Sequence, residues 1–287
     1  MKKNFVFNNS YEWKVLRCDD NALTINQCQV KLGDNLEKQN WSKPKNVVKQ
    51  DDEVKEKLGL DKGHIFAPQP WTYSEEEKEN TYKLEARYTF TVKDNIIGKV
   101  MAAAEFPEKF DLYINGHKVE PLDEYYKDRA FVLHDISEAV TKGENEVILK
   151  TEDYGVMVSL ESIYIIGDFI VDKIENGEKN KFVLKEEQQP PAVGDWTENG
   201  YPFYSGKMLY KITFNLKQNY NHLFCELDEL WGVVFKVKVN GKEVKTLGWE
   251  PFEVDISSQV KKGLNSIEIE VMNSLQNLLG PHNHMEI

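Results

Sequence analysis

Asp135-Ile136-Ser137-Glu138-Ala139-Val140-Thr141-Lys142-Gly143-Glu144-Asn145-Glu146-Val147-Ile148-Leu149 recurs about 120 residues later as Asp255-Ile256-Ser257-Ser258-Gln259-Val260-Lys261-Lys262-Gly263-Leu264-Asn265-Ser266-Ile267-Glu268-Ile269. Asp, Ile, Ser, Val, Lys, Gly and Asn hold the same places in both copies, and aliphatic residues match at 147/267 and 149/269. Each copy follows an Asn-Gly pair, Tyr113-Ile114-Asn115-Gly116 in the first and Lys238-Val239-Asn240-Gly241 in the second. Solenoid repeats recur at roughly 20 to 50 residues, so self-similarity at this distance means duplicated domains.

The phrase predicts a particular strand connection. Asn-Gly takes positive φ at both central positions and, between alternating apolar residues, predicts a tight hairpin. Asp-Ile-Ser caps a short turn through its side chains, and Lys-Gly-x-Asn turns the chain into a further strand. Ser266 to Val271 alternates at period two, which suits one wet face and one core face.

Outward from the phrase, every firm element reads as a strand. The first unit carries predicted strands at 84–92, 99–105, 110–114, 129–133, 146–150 and 162–171. Phe182-Val183-Leu184 reads as a covering strand within a polar stretch. The second unit begins near Gly194-Asp195-Trp196 and passes through strands at 209–216, 223–227 and 233–239. Trp71 to Phe90 matches Trp196 to Phe214 within one residue of spacing, so the duplication extends upstream of the phrase. Many short strands with turn signals between them predict an all-β protein of two tandem antiparallel β-sandwich domains of jelly-roll type. The expected division is an N-terminal extension over 1–66, a first sandwich over 67–175 and a second over 176–287. In the extension, Phe5-Val6-Phe7, Trp13 to Leu16 and Ala22 to Ile25 read as short strands. Asp51 to Gly59 reads as a short helix with acids in its first turn and a Gly stop, and Phe66 to Trp71 as an extended entry closed to helix by its prolines.

The 287 residues suffice for two cores. With 36 basic and 48 acidic residues the net charge is −12, which argues against nucleic acid or an anionic membrane as partner. No stretch approaches a membrane span, and the N-terminus lacks the apolar run of a secretory signal; the expectation is a soluble chain, cytoplasmic or cut from an exported enzyme. Cys18, Cys28 and Cys225 lack metal-like spacing and read as separate thiols, with a Cys18–Cys28 pairing open only to an exported protein.

Gly194-Asp195-Trp196 leading to Gly200-Tyr201-Pro202-Phe203-Tyr204-Ser205-Gly206, with the ending Asn273 to His282, resembles the C-terminal region of bacterial α-L-rhamnosidases of glycoside hydrolase family 106. The repeated Asn-Gly and Asp-Ile-Ser phrases look like the sugar-binding domain of family 2 glycosidases, a galactose-binding-like jelly roll. In such enzymes the catalytic carboxylates sit on a (β/α)₈ barrel of about 250 residues, for which this sequence has no alternating βα pattern. The resemblance thus implies a non-catalytic carbohydrate-binding portion of a glycosidase, with oligo- or polysaccharide and a glycosidase catalytic domain as partners. The alternative is a purely structural sandwich pair that braces a barrel or mediates assembly. A structural Ca²⁺ is common in the jelly-roll class, but no dense Asp/Asn loop marks a site.

The candidate sugar-binding residues are Trp196, Tyr201, Phe203 and Tyr204, an aromatic cluster in a Gly/Pro-rich segment. Their counterparts in the first unit are Trp71 and Tyr73, and the tail adds Asn273, Asn277 and His282. Flat aromatic faces pair with the apolar faces of pyranose rings, while amides and imidazole orient hydroxyls. Packing competes with binding at each of them. Trp231 and Trp249 flank the second Asn-Gly hairpin, and the resemblance to the family 2 domain implies that Trp249 closes the sandwich end. His282-x-His284 offers two nitrogens, too few to define a metal site. Asp168 and Asp195 supply two carboxylates, but Gly-Asp is an ordinary turn. The acidic run Glu75 to Glu79 reads as a solvated loop.

Overall fold

A computed structural model of the chain describes residues 12–62, 70–96, 98–176, 179–228 and 231–280. In chain order the first strands are β1 (Lys14–Arg17), β2 (Asn21–Ile25), β3 (Gln27–Leu32), β4 (Lys45–Asn46), β5 (Tyr82–Val92) and β6 (Val100–Ala104). They continue as β7 (Asp111–Ile114), β8 (His117–Val119), β9 (Val132–Asp135), β10 (Gly143–Tyr154), β11 (Ile163–Gly167), β12 (Ile170–Asn176) and β13 (Lys179–Lys185). Six more follow: β14 (Lys207–Leu216), β15 (Phe224–Glu226), β16 (Val234–Val239), β17 (Lys242–Leu247), β18 (Glu253–Asp255) and β19 (Gly263–Met272). The α-helices are α1 (Val47–Leu58), α2 (Glu75–Glu79) and α3 (Gln276–Leu279). The chain is all-β and built of antiparallel sandwiches, as the spacing of turn signals predicts.

Both Asn-Gly pairs turn hairpins, β7 to β8 and β16 to β17, with φ of 48° and 85° at Asn115 and Gly116 and of 50° and 80° at Asn240 and Gly241. Two positive φ values in succession are what a two-residue loop needs to follow the strand twist. The chain divides into two compact units, Ala22–Glu186 and Met1–Asn21 with Glu187–Ile287. The residues expected to form a separate N-terminal extension are therefore distributed. β1 pairs with β14 in the second unit, while β3 pairs with the first half of β5 in the first. The second half of β5 is joined in parallel by β13, so two short strands share one edge. An unpaired edge of an eleven-residue strand would expose a row of backbone donors and acceptors, which this sharing satisfies.

In the first unit an eight-stranded sheet runs β12-β13-β5-β10-β7-β8, with β3 beside β5 and β4 beside β3, and a four-stranded sheet runs β2-β11-β6-β9. The expected strand over 162–171 is broken into β11 and β12, which belong to different sheets. The break falls at Gly167, where a Cβ would lie 2.6 Å from the Lys99 carbonyl oxygen and 3.1 Å from the Phe169 ring. Only glycine lets the chain pass so close at that turn. In the second unit a five-stranded sheet runs β1-β14-β19-β16-β17, beside the pair β15-β18. Its core is Ile212, Phe235, Val237, Val239, Leu247, Val254, Ile256 and Ile267.

Helix α1 begins four residues before the expected start. Asn46 caps it by accepting from Val48 N–H, Gly59 ends it at φ 70°, and the first turn holds no acid. Its inner face includes Asp51 and Lys55, both buried, with Nζ 3.1 Å from Oδ2. Asp51 Oδ1 also accepts from Leu160 N–H at 2.8 Å and from the Tyr154 hydroxyl. The acidic run is helix α2 rather than a loop, because Ser74 and Glu77 form a reciprocal capping box. Pro70–Thr72 makes a 3₁₀ turn, since proline is tolerated at the first helical position. The expected strand Phe5-Val6-Phe7 and residues 63–69, which include most of the extended entry, lie outside the described residues.

Candidate functional site

One end of the second sandwich carries the connections from β15 to β16 and from β17 to β18. Leu227 N–H donates to the Phe252 carbonyl at 2.9 Å and ties them together. The β16–β17 register pairs Phe235 with Leu247, so Trp231 precedes the start of β16 and Trp249 follows the end of β17 at this same end. Phe252 turns inward and meets Phe235 edge-on at 5.7 Å between ring centroids. Because Phe252 fills the sandwich end, Trp249 does not close it. Trp249 is 82% exposed and Trp231 is 95% exposed. Along the same two connections and the strands that flank them, Glu226, Asp228, Glu250 and Glu253 are exposed, and the β15–β18 register sets Glu226 directly opposite Glu253.

The aromatic cluster singled out in the sequence has a different environment. Tyr201, Phe203 and Tyr204 are fully buried and present no face to solvent. Tyr204 stands edge-on to both Trp196 (5.7 Å) and Tyr201 (6.0 Å). Every polar handle in the cluster is occupied. Trp196 Nε1 donates to the Tyr210 hydroxyl, Tyr201 to Glu187, and Tyr204 to the Lys207 carbonyl. Burial and the neighbouring carboxylates of Glu187 and Asp19 respectively raise the phenol pKa of Tyr201 and Tyr204. Asn273 clamps the same segment, accepting from Gly206 N–H at 2.9 Å and donating to the Tyr204 carbonyl at 2.8 Å. The structure therefore gathers Trp196, Tyr201, Phe203, Tyr204 and Asn273 in one place, as packing under the C-terminal tail.

No protein-family model matches the chain. Among curated proteins, an 85-residue stretch, 28% of this chain, is 38% identical to the "Putative beta-glucuronidase" of Formosa agariphila and covers 7% of that protein. Among solved structures the chain is similar to a β-D-mannosidase from Dictyoglomus thermophilum, with 11% identity, TM-score 0.33, and 88% of this chain over 31% of that one. It is also similar to a β-glucuronidase from Ruminococcus gnavus (12% identity, TM-score 0.35, 89% over 40%) and to a rhamnosidase from Novosphingobium sp. PP1Y (20%, 0.27, 70% over 18%). These similar proteins bear glycosidase names. The chain spans less than half the length of each. At such identities and TM-scores no substrate and no residue role passes from the solved structures to this chain.

The remaining candidate residues are scattered through the two units. Trp71 is 79% exposed, and the Tyr73 hydroxyl donates to Asp61 at 2.9 Å; partial burial, with this carboxylate beside it, raises the phenol pKa. Asn277 is half-buried on α3, and its carbonyl accepts from Gly280 N–H. His282 and His284 lie outside the described residues. Asp195 Oδ1 accepts from Thr197 N–H and Oγ1, a turn-forming role. Among the described residues no group of three or more His, Cys, Asp or Glu is arranged to hold a metal ion, and Cys18, Cys28 and Cys225 are free thiols. No helix among them is long and apolar enough to cross a membrane.

Proposed function

We propose that the chain is a non-catalytic carbohydrate-recognition portion of a glycosidase-type protein, binding sugar rings on Trp231 and Trp249. The observation that carries this reading is the exposure of two indoles on connections tied together at one sandwich end. An isolated exposed tryptophan is ordinary, but two on one end form an amphipathic platform with apolar faces and hydrogen-bonding edges. The 38% identity over 85 residues to a protein named for β-glucuronidase supports the glycosidase setting. The resemblance of the sequence phrases to the rear sandwiches of α-L-rhamnosidases and to galactose-binding-like domains belongs to the same proposal. Trp71, exposed in the first unit, is a second platform candidate.

Shallow stacking with a few hydrogen bonds gives dissociation constants of about 10 μM to 1 mM. A glycan array of rhamnose-, galactose- and glucose-containing polysaccharides, with Ca²⁺ present and chelated, tests the proposal. A saturable, sugar-competed signal is expected, and Trp231→Ala with Trp249→Ala should abolish it while the circular dichroism spectrum stays unchanged. A blank on folded protein overturns the reading in favour of a bracing role, for which exposed Leu275, Leu279 and Met272 beside the end of β19 supply the surface.

A further inference from the structure

Asp51 and Lys55 hold more chemistry than an ion pair needs. They lie one turn apart on the inner face of α1, their side chains 0% and 1% exposed, with Lys55 Nζ 3.1 Å from Asp51 Oδ2. Val47 and Val54 of the same helix are buried, and so are Cys28 and Leu160. The other carboxylate oxygen of Asp51, Oδ1, accepts from Leu160 N–H at 2.8 Å and from the Tyr154 hydroxyl. Two donors fixed on one carboxyl oxygen are what stabilises an oxyanion when a nucleophile adds to the carbon that bears it. The amine that could add stands at the second oxygen of the same carboxyl.

Two full charges kept out of water carry a desolvation cost that an amide does not. Passing one proton across the 3.1 Å contact gives a neutral amine and a carboxylic acid, the pair that a low dielectric favours. We infer that Asp51 and Lys55 become joined by an intrachain amide, an isopeptide crosslink across one turn of α1. The Lys55 amine adds to Asp51 Cγ, and negative charge gathers on Oδ1 between the Tyr154 hydroxyl and Leu160 N–H. Oδ2 then leaves as water, carrying its own proton and one from the nitrogen. One N–C bond forms and one C–O bond breaks, with no oxidant, reductant or third reactant consumed. The helix supplies the proximity that a bimolecular amidation lacks, and the amide oxygen keeps both donors.

Intact-mass spectrometry of the purified, denatured chain tests the inference, because an ion pair is lost on denaturation and an amide is not. The expected mass is that of the sequence less one water. Trypsin should cut after Lys49 and Lys57 but not after Lys55, releasing residues 50–57 as a looped peptide that lacks the water and gives no fragments between Asp51 and Lys55. Followed from cell-free synthesis, the lighter species should accumulate as the protein folds, and Tyr154→Phe should slow it at least about tenfold. A chain at full sequence mass with Lys55 open to trypsin overturns the inference and leaves an ion pair. A missing water located at any other residue overturns it as well. Equal rates with and without the Tyr154 hydroxyl, in variants whose circular dichroism matches, overturn the oxyanion step; the mass of the native chain decides the crosslink whether or not that variant folds.

Discussion

Asn115 Nδ2 donates to Asn145 Oδ1 at 2.8 Å, and in the second copy of the phrase Asn240 Nδ2 donates to Asn265 Oδ1 at 3.0 Å. Each pair joins the hairpin turn to the start of the strand that follows the Asp-Ile-Ser turn. Asn115 also donates to the Ala139 carbonyl and accepts from Glu146 N–H, and Asn240 does the same with Gln259 and Ser266. Asn145 and Asn265 each bind their own loop, accepting from N–H of Thr141 or Lys261 and donating to two carbonyls. The repeated spacing is therefore a repeated hydrogen-bond network, and Asn145 and Asn265 at its centre are buried.

Asn145→Ala and Asn265→Ala should each cost about 2–3 kcal/mol, because truncation leaves loop backbone groups unsatisfied in addition to losing the bonds. Urea denaturation reads the loss. Pairing Asn240→Ala with Asn265→Ala should cost less than the sum, since the two share a bond. Strict additivity would show that the pair does not act as one network.

Asp51→Ala should be among the most damaging single substitutions in the first unit, by about 3–5 kcal/mol, because it leaves the Lys55 ammonium buried without its partner. It also strips acceptors from Leu160 N–H and the Tyr154 hydroxyl. Adding Lys55→Met should recover part of the loss, a pattern that a double-mutant cycle would reveal. A double mutant as unstable as the sum of the singles would mean that the ion pair is not what Asp51 supports.

The sandwiches were legible in the sequence because turn chemistry and period-two alternation are local. Their partners were less so. Trp13 to Leu16 reads correctly as a strand, yet β1 pairs with residues 208–211, at a sequence distance that no local pattern encodes. The place of the exposed aromatics was hidden for a geometric reason. In Trp249-Glu250-Pro251-Phe252 two aromatics three residues apart compete for the sandwich end, and the strand pairing after the proline, not hydrophobicity, turned Phe252 inward. The aromatics at 201–204 look loop-borne and available, but the tail held by Asn273 covers them. A readable signal for α2 was the Ser74-x-x-Glu77 spacing, which marks a helix start even within an acidic run.

Gly280→Ala should destabilise the second unit by about 1–3 kcal/mol. A Cβ there would stand 2.1 Å from the Phe203 ring, and Gly280 holds φ at 62°, where other residues are strained. Asn273→Ala should lower stability by a similar amount through loss of its two backbone bonds to the same segment. Thermal unfolding followed by tryptophan fluorescence would register both. Unchanged midpoints would show that the tail does not contribute to the packing over Phe203.

Glu105 should make the first unit less stable as pH rises. Burial, with Glu161 and Asp128 nearby, pushes its carboxyl up to about 7 from an ordinary value of 4.5. Below about pH 4.5 the group is protonated in both folded and unfolded chains and contributes no pH dependence. Between about 4.5 and 7 the unfolded chain releases the proton while the folded one retains it, so folding is progressively penalised, and above about 7 the penalty is constant. Glu105→Gln should therefore shrink the fall in stability between about pH 5 and pH 8 by about 1 kcal/mol, less than the full shift implies because the side chain remains partly solvated. Urea titrations of both proteins at the two pH values measure the difference. Parallel curves would place the ionisation of Glu105 in the ordinary carboxylate range.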